Sequence, residues 1–448
     1  METNQSARVG VLSFHNSKET KAILNAVDDF GHEPIWLREE NSTISIDTNT
    51  VQTDPSVDVL VNRMLLTNTE HPEEKLGLLQ SYAELGPMLN RPLPVLTAIH
   101  KFAAAIKLAR EGLPVPNALL APNSARLNKA KEQFGPECVY KTAIGTHGGG
   151  TWKVDTSQPL KARVGQRQAF LQALLETNIE RHRDLRIYVV GDEVIGAMYR
   201  YASDGDWRTN ASLGGEVENA TDDLPQNVAD LAREATNIIG LDYAGVDLVE
   251  NDDGWHVLEV NTTAGFTALF EATGRSAAPF IAKLAIETAG CEVDDNQVSE
   301  IATRLDDSVP SCKPTPLESR DHDVITIGLT EEVVVSGTAG SERVIAKADT
   351  GASRTSIDME IAASIGAGPV QSTTSIKSAT AESSGTRSVV DVVIGIDGNR
   401  HTVSASIADR SHMKYPVLIG RDILADYRVD VERQVGNSGD DTGLQFEE

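Results

Sequence analysis

Two acidic residues and one amide residue lie in neighbouring segments whose pattern predicts a β-hairpin. Asp247 lies in AGVDLVEN, whereas Glu259 and Asn261 lie in HVLEVN. The NDDG between them is a tight-turn signal, and a turn centred on Asp252 and Asp253 pairs positions whose numbers add to about 505. Asp247 and Glu259 are therefore expected to oppose each other to within one residue of register. Asn261 should share their face, because side chains alternate along a strand.

These three side chains would form an oxygen-rich set on one face of the hairpin. Carboxylate and amide oxygens are the ligands that hold Mg²⁺ on the phosphates of a nucleotide. A solvated acidic strand face is the alternative, because 66 of the 448 residues are Asp or Glu. The hairpin pattern therefore predicts that Asp247, Glu259 and Asn261 are metal ligands. A solvated acidic surface remains open as the alternative interpretation.

The length and composition of the chain indicate several domains. A chain of 448 residues that is 40% hydrophobic is expected to form about two to four packed domains. No apolar run approaches the ~18 residues of a membrane span, and METNQSARVGVLSF lacks the basic and apolar regions of a secretory signal. The cysteines at 138, 291 and 312 match no metal or disulfide spacing. We therefore expect a cytoplasmic protein with no membrane partner.

The charge of the chain is strongly negative, with 66 acidic against 40 basic residues and a net charge of -26. This field repels phosphates, which argues against nucleic acid as a partner. Acidic residues are spread through the whole chain, and lysine is scarce relative to arginine. This pattern predicts a halophilic source, as in haloarchaea, whose salt would screen the self-repulsion.

The order of short apolar runs and helical segments predicts a multi-domain chain. Strands alternate with helices over 1–95, which favours an α/β domain, and strands and helices continue over 96–290. Residues 291–322 are polar and are predicted to be a linker, and short strands over 323–434 predict an all-β unit. The acidic tail 435–448 is predicted to be disordered. Helices are predicted at 97–111, 166–176, 225–240 and 277–289.

A glycine-rich loop follows a predicted strand in KTAIGTHGGG, residues 141–150. Glycine backbone approaches phosphates closely and its N–H groups solvate them, while Lys141 on the strand supplies a positive charge. The spacing matches neither the Walker loop nor G-x-G-x-x-G, and a flexible hairpin is the alternative. The residues predicted to surround the phosphates are Gly145, Thr146, Gly148, Gly149 and Gly150.

The order of these elements resembles the ATP-grasp superfamily, and most closely the RimK-type amino-acid ligases. The matching segments are RDLRIYVVGDEVIGAMYR, DWRTN, LDYAGVDLVEN and HVLEVNTTAGF, within residues of about 60–290. The resemblance implies a pre-ATP-grasp α/β domain over 1–95 and an α+β ATP-grasp domain over 96–290. It also implies ATP and two Mg²⁺ ions as cofactors, with Mn²⁺ able to substitute.

The same resemblance assigns roles to the matching residues. Lys101 and Lys141 would contact the phosphates and the adenine pocket, and Asp184 would lie at the ribose. Arg208 would meet the transferred phosphoryl group. The other implied assignments are Thr209 and Asn210 beside Arg208, Glu176 and Thr177 as the hinge that reads the adenine edge, and Asp247, Glu259 and Asn261 as ligands of the two Mg²⁺ ions.

The implied reaction joins a carboxylate to an amine. ATP transfers its γ-phosphoryl group to the carboxylate, and the amine then displaces phosphate from the acylphosphate. Arg208 would stabilise charge on the moving oxygens, and the closed glycine loop would exclude water. The implied partners are an amino-acid substrate such as glutamate and a carboxyl-terminal acceptor on a protein, a peptide or a coenzyme.

A second motif lies in the β-rich part of the chain. KADTGAS ends a predicted strand, and VLIGRD follows about seventy residues later. This pair resembles the retropepsin-like aspartic proteases, and in particular the small protease-like partner associated with RimK-type ligases; an acid in an ordinary turn is the alternative. A catalytic dyad shares one proton between two acids, and this unit carries only Asp349 in such a motif. A working site would therefore need Asp349 from two chains, and hence at least a homodimer.

Three hypotheses about function remain open. In the first, the ligase adds glutamate to a carboxyl terminus and the C-terminal unit trims the product. In the second, the same ligase chemistry acts on a coenzyme such as a deazaflavin, on a carrier protein or on a ribosomal protein. In the third, the C-terminal unit is a non-catalytic module for dimerisation or peptide binding.

Overall fold

The computed structural model describes most of the chain as two compact units. These units are residues 1–318 and 319–448. None of the helices in the described part of the chain has the length and apolarity needed to cross a membrane. The described residues are 6–67, 72–145, 150–164, 167–175, 181–203, 207–209, 216–312, 325–368, 370–376 and 385–435.

The first unit combines three main sheets, one exposed hairpin and the helices that cover them. Its strands are β1 (Arg8–Leu12), β2 (Glu33–Leu37), β3 (Thr43–Asp47), β4 (Thr50–Asp54), β5 (Val59–Asn62), β6 (Met88–Leu89), β7 (Ala118–Leu120), β8 (Glu137–Thr142), β9 (Thr151–Asp155), β10 (Arg163–Val164), β11 (Arg167–Gln172), β12 (Arg183–Val190), β13 (Glu193–Tyr201), β14 (Val217–Asn219), β15 (Tyr243–Asn251) and β16 (Gly254–Asn261). Its α-helices are α1 (Lys18–Asp29), α2 (Pro72–Ala83), α3 (Pro92–Ile99), α4 (Lys101–Arg110), α5 (Ser124–Ala130), α6 (Gln226–Ile239), α7 (Thr267–Thr273), α8 (Ala278–Thr288) and α9 (Asp295–Ile301).

The first sheet is parallel, with the strand order β2-β1-β5-β6. Its central strands are buried on both faces, which is why they are continuous apolar runs. Leu12 of β1 pairs with Asn62 of β5, so both strands end at the same edge of the sheet. Helix α1 begins just beyond this edge, where the Ser17 hydroxyl accepts a hydrogen bond from the Thr20 amide at 3.1 Å.

The other two main sheets of the first unit are antiparallel. One has the order β10-β11-β8-β9 with β7 beside β11, and the other has the order β14-β13-β12-β15-β16. The hairpins β12–β13 and β15–β16 are adjacent through β12 and β15, so polar positions of three neighbouring strands share one face.

The helix predicted over 97–111 is in fact two helices. Helix α3 ends at Ile99 and α4 begins at Lys101, because His100 leaves the helical conformation with φ of -89° and ψ of 86°. The His100 ring nitrogen Nδ1 accepts a hydrogen bond from the Ala103 amide at 3.1 Å and caps α4. This break makes Lys101 the first residue of a helix.

The helix predicted over 166–176 is wrong, because this segment contains strand β11. Ala169, Phe170 and Leu171 are each no more than 1% exposed, so the strand is buried on both faces. It pairs with β8 on one side and with β7 on the other. A short apolar run of this kind has no alternation that would separate a buried strand from a helix.

Residues 291–312 of the predicted linker pack against the first unit. Val298 and Ile301 of α9 are buried in its core, which gives this polar segment an apolar face. Arg304 forms an ion pair with Asp29 at 2.7 Å, and the Asn25 side chain donates to the Asp306 carbonyl at 3.1 Å. The rest of the linker, and the tail beyond residue 435, lie outside the described residues.

In its described residues, the second unit is an eight-stranded sheet with two short helices. The order is β20-β21-β22-β19-β23-β18-β17-β24, and an extra pairing of β17 with β21 closes the sheet into a barrel. Its buried core is formed by aliphatic side chains that alternate along these strands. Its elements are β17 (Thr326–Ser336), β18 (Ser341–Ala348), β19 (Ser356–Asp358), α10 (Met359–Ser364), β20 (Val370–Ile376), β21 (Gly385–Ile396), β22 (Asn399–Ala408), β23 (Val417–Ile419), α11 (Arg421–Leu424) and β24 (Arg428–Gln434).

Candidate active site

The hairpin of β15 and β16 brings the three predicted metal ligands together. Asp247 pairs directly with Glu259, and Gly245 pairs with Asn261, which confirms the expected register. The Asn261 amide nitrogen donates to Asp247 Oδ2 at 3.2 Å, so these side chains share one face. The register shifts by one residue just beyond Asp247, and the turn residues follow the shifted pairing.

Asp247 is a buried carboxylate held by two arginines. Arg186 donates to both of its oxygens, from Nε at 2.6 Å and from Nη2 at 2.7 Å. Arg200 Nη2 lies 3.1 Å from Asp247 Oδ2. Burial alone would raise the pKa of Asp247, but the two guanidinium groups outweigh it and hold the pKa well below its usual value. Asp247 is therefore ionised at any physiological pH.

A second buried carboxylate completes this charge network. Arg200 also forms a bidentate pair with Asp184 on the neighbouring strand, and the Thr209 hydroxyl donates to Asp184 Oδ2 at 2.6 Å. Asp184 pairs in register with Arg200, just as Arg186 pairs with Asp247. Two acids and two arginines therefore alternate across β13, β12 and β15, where each charge is compensated by a neighbour.

Two lysines lie beside the acidic hairpin. The Lys101 ammonium group donates to Glu259 Oε2, and the Lys101 amide donates to the Ala143 carbonyl at 2.8 Å, which ties the start of α4 to the end of β8. Burial and, to a smaller extent, the charge of Lys101 together lower the pKa of Lys141 to about 8. Burial opposes ionisation of Glu259 as well, but Lys101 keeps its pKa below the usual value.

The glycine-rich loop leaves its strand beside a threonine side chain. A Cβ atom at Gly150 would lie 2.2 Å from the Thr142 hydroxyl, and one at Gly145 would lie 2.7 Å from the same oxygen. The Thr142 amide donates to the Gly150 carbonyl at 2.8 Å. Glycine is therefore required at both ends of the loop by close packing. Thr146, Gly148 and Gly149 lie outside the described residues.

A cavity of about 480 Å³ is lined by both lysines and by Asp184, Asp247 and Glu259. Its volume is within the range of small-molecule and cofactor sites. Ala173, Leu174 and Leu175 add an apolar part to a wall that is otherwise mostly charged. Glu176, Thr177 and Asn210 lie outside the described residues, so their predicted roles are untested. The predicted site residues that line the cavity are Lys101, Lys141, Asp184, Arg208, Thr209, Asp247 and Glu259.

The donor set of the hairpin fits a hard divalent cation such as Mg²⁺. Asp247 and Glu259 offer carboxylate oxygens, and Asn261 uses its nitrogen toward Asp247, so its oxygen is the atom suited to a metal. In this structure Lys101 neutralises Glu259, and Arg186 and Arg200 neutralise Asp247. A bound cation would share these carboxylate oxygens with the three basic side chains. Within the described ranges, no group of three or more His, Cys, Asp or Glu side chains could hold a metal ion, and the hairpin itself offers two carboxylates and one amide.

The sequence prediction missed Arg186 and Arg200, although both lie in a segment that it quoted. The signal was available, because Gly191 and Asp192 mark a hairpin turn. The residue numbers of Asp184 and Arg200 add to nearly the same sum as those of the turn residues, so the two are expected to pair. The period of two then places Arg186 on the face of Asp184. The same register argument that paired Asp247 with Glu259 would have found both arginines.

The predicted acid of the second unit lies at a tight turn after β18. The Asp349 amide donates to the Ile419 carbonyl at 2.9 Å, so the two halves of the second motif are adjacent. Asp349 Oδ1 accepts from the Gly351 amide at 3.0 Å and from the Ala352 amide at 3.3 Å. A Cβ atom at Gly420 would lie 2.4 Å from the backbone of residue 354, so glycine permits this close approach.

Two segments of the chain match the models of known protein families. Residues 98–284 match the model of the RimK-like ATP-grasp domain. Residues 359–437 match the model of the retropepsin-like aspartic endopeptidase RimB, and this match begins ten residues after Asp349.

Relatives and solved structures agree with the first match. A tetrahydromethanopterin:alpha-L-glutamate ligase of Methanocaldococcus jannaschii is 33% identical over 191 residues, which are 41% of this chain and 64% of that protein. A probable alpha-L-glutamate ligase of Haemophilus influenzae is 30% identical over 49% of this chain and 74% of its own length. The structure of the ATP-grasp ligase PsnB complexed with minimal precursor has a TM-score of 0.50 at 20% identity and covers 63% of this chain and 100% of that chain, which supports the fold.

The chain spans about two thirds or less of the first relatives that it matches, yet it covers 74% of the Haemophilus influenzae protein at 30% identity. The residues that line the cavity all lie within the segment 98–284 that the family model matches. The chain belongs to the RimK-like ATP-grasp family.

Proposed function

We propose that this protein is an ATP- and Mg²⁺-dependent carboxylate–amine ligase that adds glutamate or a similar amino acid to a carboxyl terminus. The observation that carries the proposal is the pairing of Asp247 with Glu259 in a cavity that also contains Lys101 and Lys141. A triphosphate needs several positive charges around it, and these residues supply both lysine charge and oxygen ligands for a cation. The names of the relatives, which are glutamate ligases, support the choice of amino acid.

The lysines and arginines of the cavity have separable tasks in this proposal. Lys101 exchanges its contact with Glu259 for a phosphate oxygen, and Lys141 gains a phosphate counter-charge in addition to the nearby carboxylates. Bound Mg²⁺ would neutralise charge on the phosphates, held by Asp247, Glu259 and Asn261.

Arg186 and Arg200 fix the orientation of Asp247 before substrate arrives, because Arg186 donates to it from the neighbouring strand β12 and Arg200 forms an ion pair with it from β13. Arg208 and Thr209 line the same cavity and would contact the transferred phosphoryl group. Thr209 is tied to the network through Asp184.

A phosphate-release assay with ATP, Mg²⁺, glutamate and candidate carboxyl acceptors tests the ligase proposal. Asp247→Asn and Glu259→Gln should each reduce turnover by about 100-fold or more, because each removes a carboxylate that would hold Mg²⁺ on the phosphates. Glu250→Gln is the matched control, since Glu250 lies on the same strand but is exposed. Equal turnover in all three variants would contradict the proposal.

A second candidate keeps the chemistry and changes the acceptor to a coenzyme or a carrier protein. The tetrahydromethanopterin ligase of Methanocaldococcus jannaschii favours it, because the acceptor named for that relative is a coenzyme. Mass spectrometry of products from a panel of peptides, carrier proteins and coenzymes separates the two candidates. Modification of coenzymes alone would replace the first proposal.

We propose that the second unit is a dimeric aspartic protease that trims the ligation product, with Asp349 from each copy forming the dyad. The family match and the position of Asp349 beside the Gly420 segment support this proposal. Its competitor is a non-catalytic dimerisation or peptide-binding module. Asp349→Asn should lengthen the products if the unit trims them, and unchanged product lengths would favour the competitor.

The proposed setting is a salt-rich cytoplasm. The net charge of -26 supports it, because such self-repulsion is relieved when salt screens the charges. Mn²⁺ should replace Mg²⁺ in the assay, since both cations take oxygen ligands.

A further inference from the structure

Among the described residues, a buried arginine at the edge of the first sheet has no anionic partner. Arg63 follows β5 and is 2% exposed, yet its Nε and Nη1 atoms make no hydrogen bond within the part of the chain that the structure describes. Arginine is almost never this buried without a paired anion, because an unmet buried charge destabilises the fold. A ligand carboxylate would supply the missing partner.

Arg63 is not among the residues that line the cavity described above, but its place in the first sheet suits a ligand. It lies at the carboxyl edge of a parallel sheet, where α/β proteins usually bind ligands. The phenol oxygen of Tyr243 accepts a hydrogen bond from the Arg63 guanidinium, and its hydroxyl donates to the Asn62 carbonyl at 2.6 Å. Tyr243 begins β15, and Asp247 is four residues along this strand, or roughly 13 Å at about 3.3 Å per residue. Strand β15 therefore begins beside Arg63 and carries one of the candidate metal ligands further along.

An acidic side chain lies on the other side of the same region. Glu19, in the first turn of α1, accepts a hydrogen bond from the Thr267 hydroxyl at 3.0 Å. A Cβ atom at Gly265 would lie 3.0 Å from the same Glu19 oxygen, so glycine lets the carboxylate approach this loop. The loop follows Asn261 directly, which places Glu19 next to the end of the metal-ligand hairpin.

His15 lies close enough to Arg63 and Glu19 for both charges to act on it. Its pKa is lowered to about 4, first by burial and then by the charge of Arg63, while Glu19 opposes this effect. Lys75 and Arg38 add positive charge there. The region therefore presents a surplus of positive charge beside a single carboxylate, which matches a molecule with one ammonium group and more than one carboxylate.

We propose that Arg63 binds a carboxylate of an acidic α-amino acid substrate and that Glu19 faces the ammonium group of the same molecule. This inference rests on the proposed ligase function and adds the site for the amino acid. Arg63 makes a bidentate contact with the carboxylate, which a lysine would not reproduce. Glu19 holds the amine on the side of the metal-ligand hairpin, where the activated carboxylate would form.

Calorimetry on the full chain tests this site, with L-glutamate and glutarate as probes in the presence and absence of a non-hydrolysable ATP analogue. Arg63→Met should weaken both probes on the order of 10- to 100-fold, since a charged hydrogen-bonded contact is lost. Arg63→Lys should restore part of this loss. Glu19→Gln should weaken L-glutamate but not glutarate, which lacks the ammonium group.

Arg8→Met is the matched control, because Arg8 lies at the opposite end of β1 and pairs with Glu33 at the surface. It should bind both probes like the wild type. The melting temperature of ligand-free Arg63→Met should be unchanged or higher, because an unpartnered charge is removed; a clear fall would indicate a structural role and overturn the proposal.

Other outcomes also decide the question. Wild-type affinity for L-glutamate in Arg63→Met, or a wild-type protein that binds the ATP analogue but neither probe, would overturn the amino-acid site and leave the ligase proposal standing. An Arg63→Met variant with normal L-glutamate affinity and a raised KM for the carboxyl acceptor would assign Arg63 to the acceptor instead. A wild-type protein that binds glutamate through Arg63 but no nucleotide would contradict the ligase proposal alone.

Discussion

Replacing Lys141 by methionine should stabilise the ligand-free protein near neutral pH and weaken nucleotide binding at the same time. Burial and the charge of Lys101 lower the pKa of Lys141 to about 8 from the ordinary 10.5. This difference corresponds to at most about 3 kcal/mol against the charged form in the folded state. Because the side chain is partly exposed to the cavity, we expect about 1–2 kcal/mol of stabilisation from removing the charge.

The pH dependence of this effect has a definite sign. The folded-state pKa of Lys141 lies below the unfolded value, so the unfolded chain binds more protons between pH 8 and pH 10.5. The contribution of Lys141 to the free energy of unfolding therefore rises with pH across this window and is constant below it. Lys141→Met lacks this rise, so its stability advantage at pH 7 should shrink as the pH approaches 10.5.

Urea and thermal unfolding at pH 7 and near pH 10, with and without an ATP analogue, provide the assay. A gain of about 1–2 kcal/mol corresponds to a few degrees in melting temperature for a unit of this size. The analogue should bind the variant on the order of 100-fold more weakly, since a lysine–phosphate contact is lost. Lys129→Met on the exposed face of α5 is the control and should change neither property. A less stable variant at pH 7, or an advantage that is equal at both pH values, would refute the reasoning.

Three further predictions concern stability. Arg200→Met should lower the free energy of unfolding by about 3 kcal/mol or more in urea titrations, because Asp184 and Asp247 would be left as close buried charges; a neutral result would contradict the charge network. Asp422→Ala should destabilise the second unit by about 2 kcal/mol in the same experiment, because Asp422 accepts hydrogen bonds from the Thr355 amide and hydroxyl. Raising KCl from about 0.1 M to above 1 M should raise the melting temperature, since ions screen repulsion over a Debye length that falls from about 10 Å to about 3 Å; a fall would argue against adaptation to salt.

The hairpin of the candidate site could be predicted because its information is local. The turn sequence fixes the register, the register pairs Asp247 with Glu259, and the period of two adds Asn261. The ends of α6 and α8 also lie close to the predicted bounds. Gly240 marks the end of α6, and Pro279 marks the beginning of α8.

Contacts between distant segments could not be predicted in this way. The ion pair of Lys101 with Glu259 joins residues that are 158 positions apart, and only the packing of α4 against β16 brings them together. Strand β11 was misassigned because its partners β8 and β7, rather than its own pattern, decide its conformation. Arg63 gave no signal at all, since a lone arginine after a strand is ordinary until its burial is known.

The most direct measurement is calorimetric titration of a non-hydrolysable ATP analogue into the full chain, with and without Mg²⁺, for the wild type and for Asp247→Asn. We predict tight binding to the wild type that depends on Mg²⁺ and is lost or greatly weakened in the variant. Equal affinity with and without the cation, or in the variant and the wild type, would contradict the claim that Asp247, Glu259 and Asn261 hold the metal of a nucleotide site.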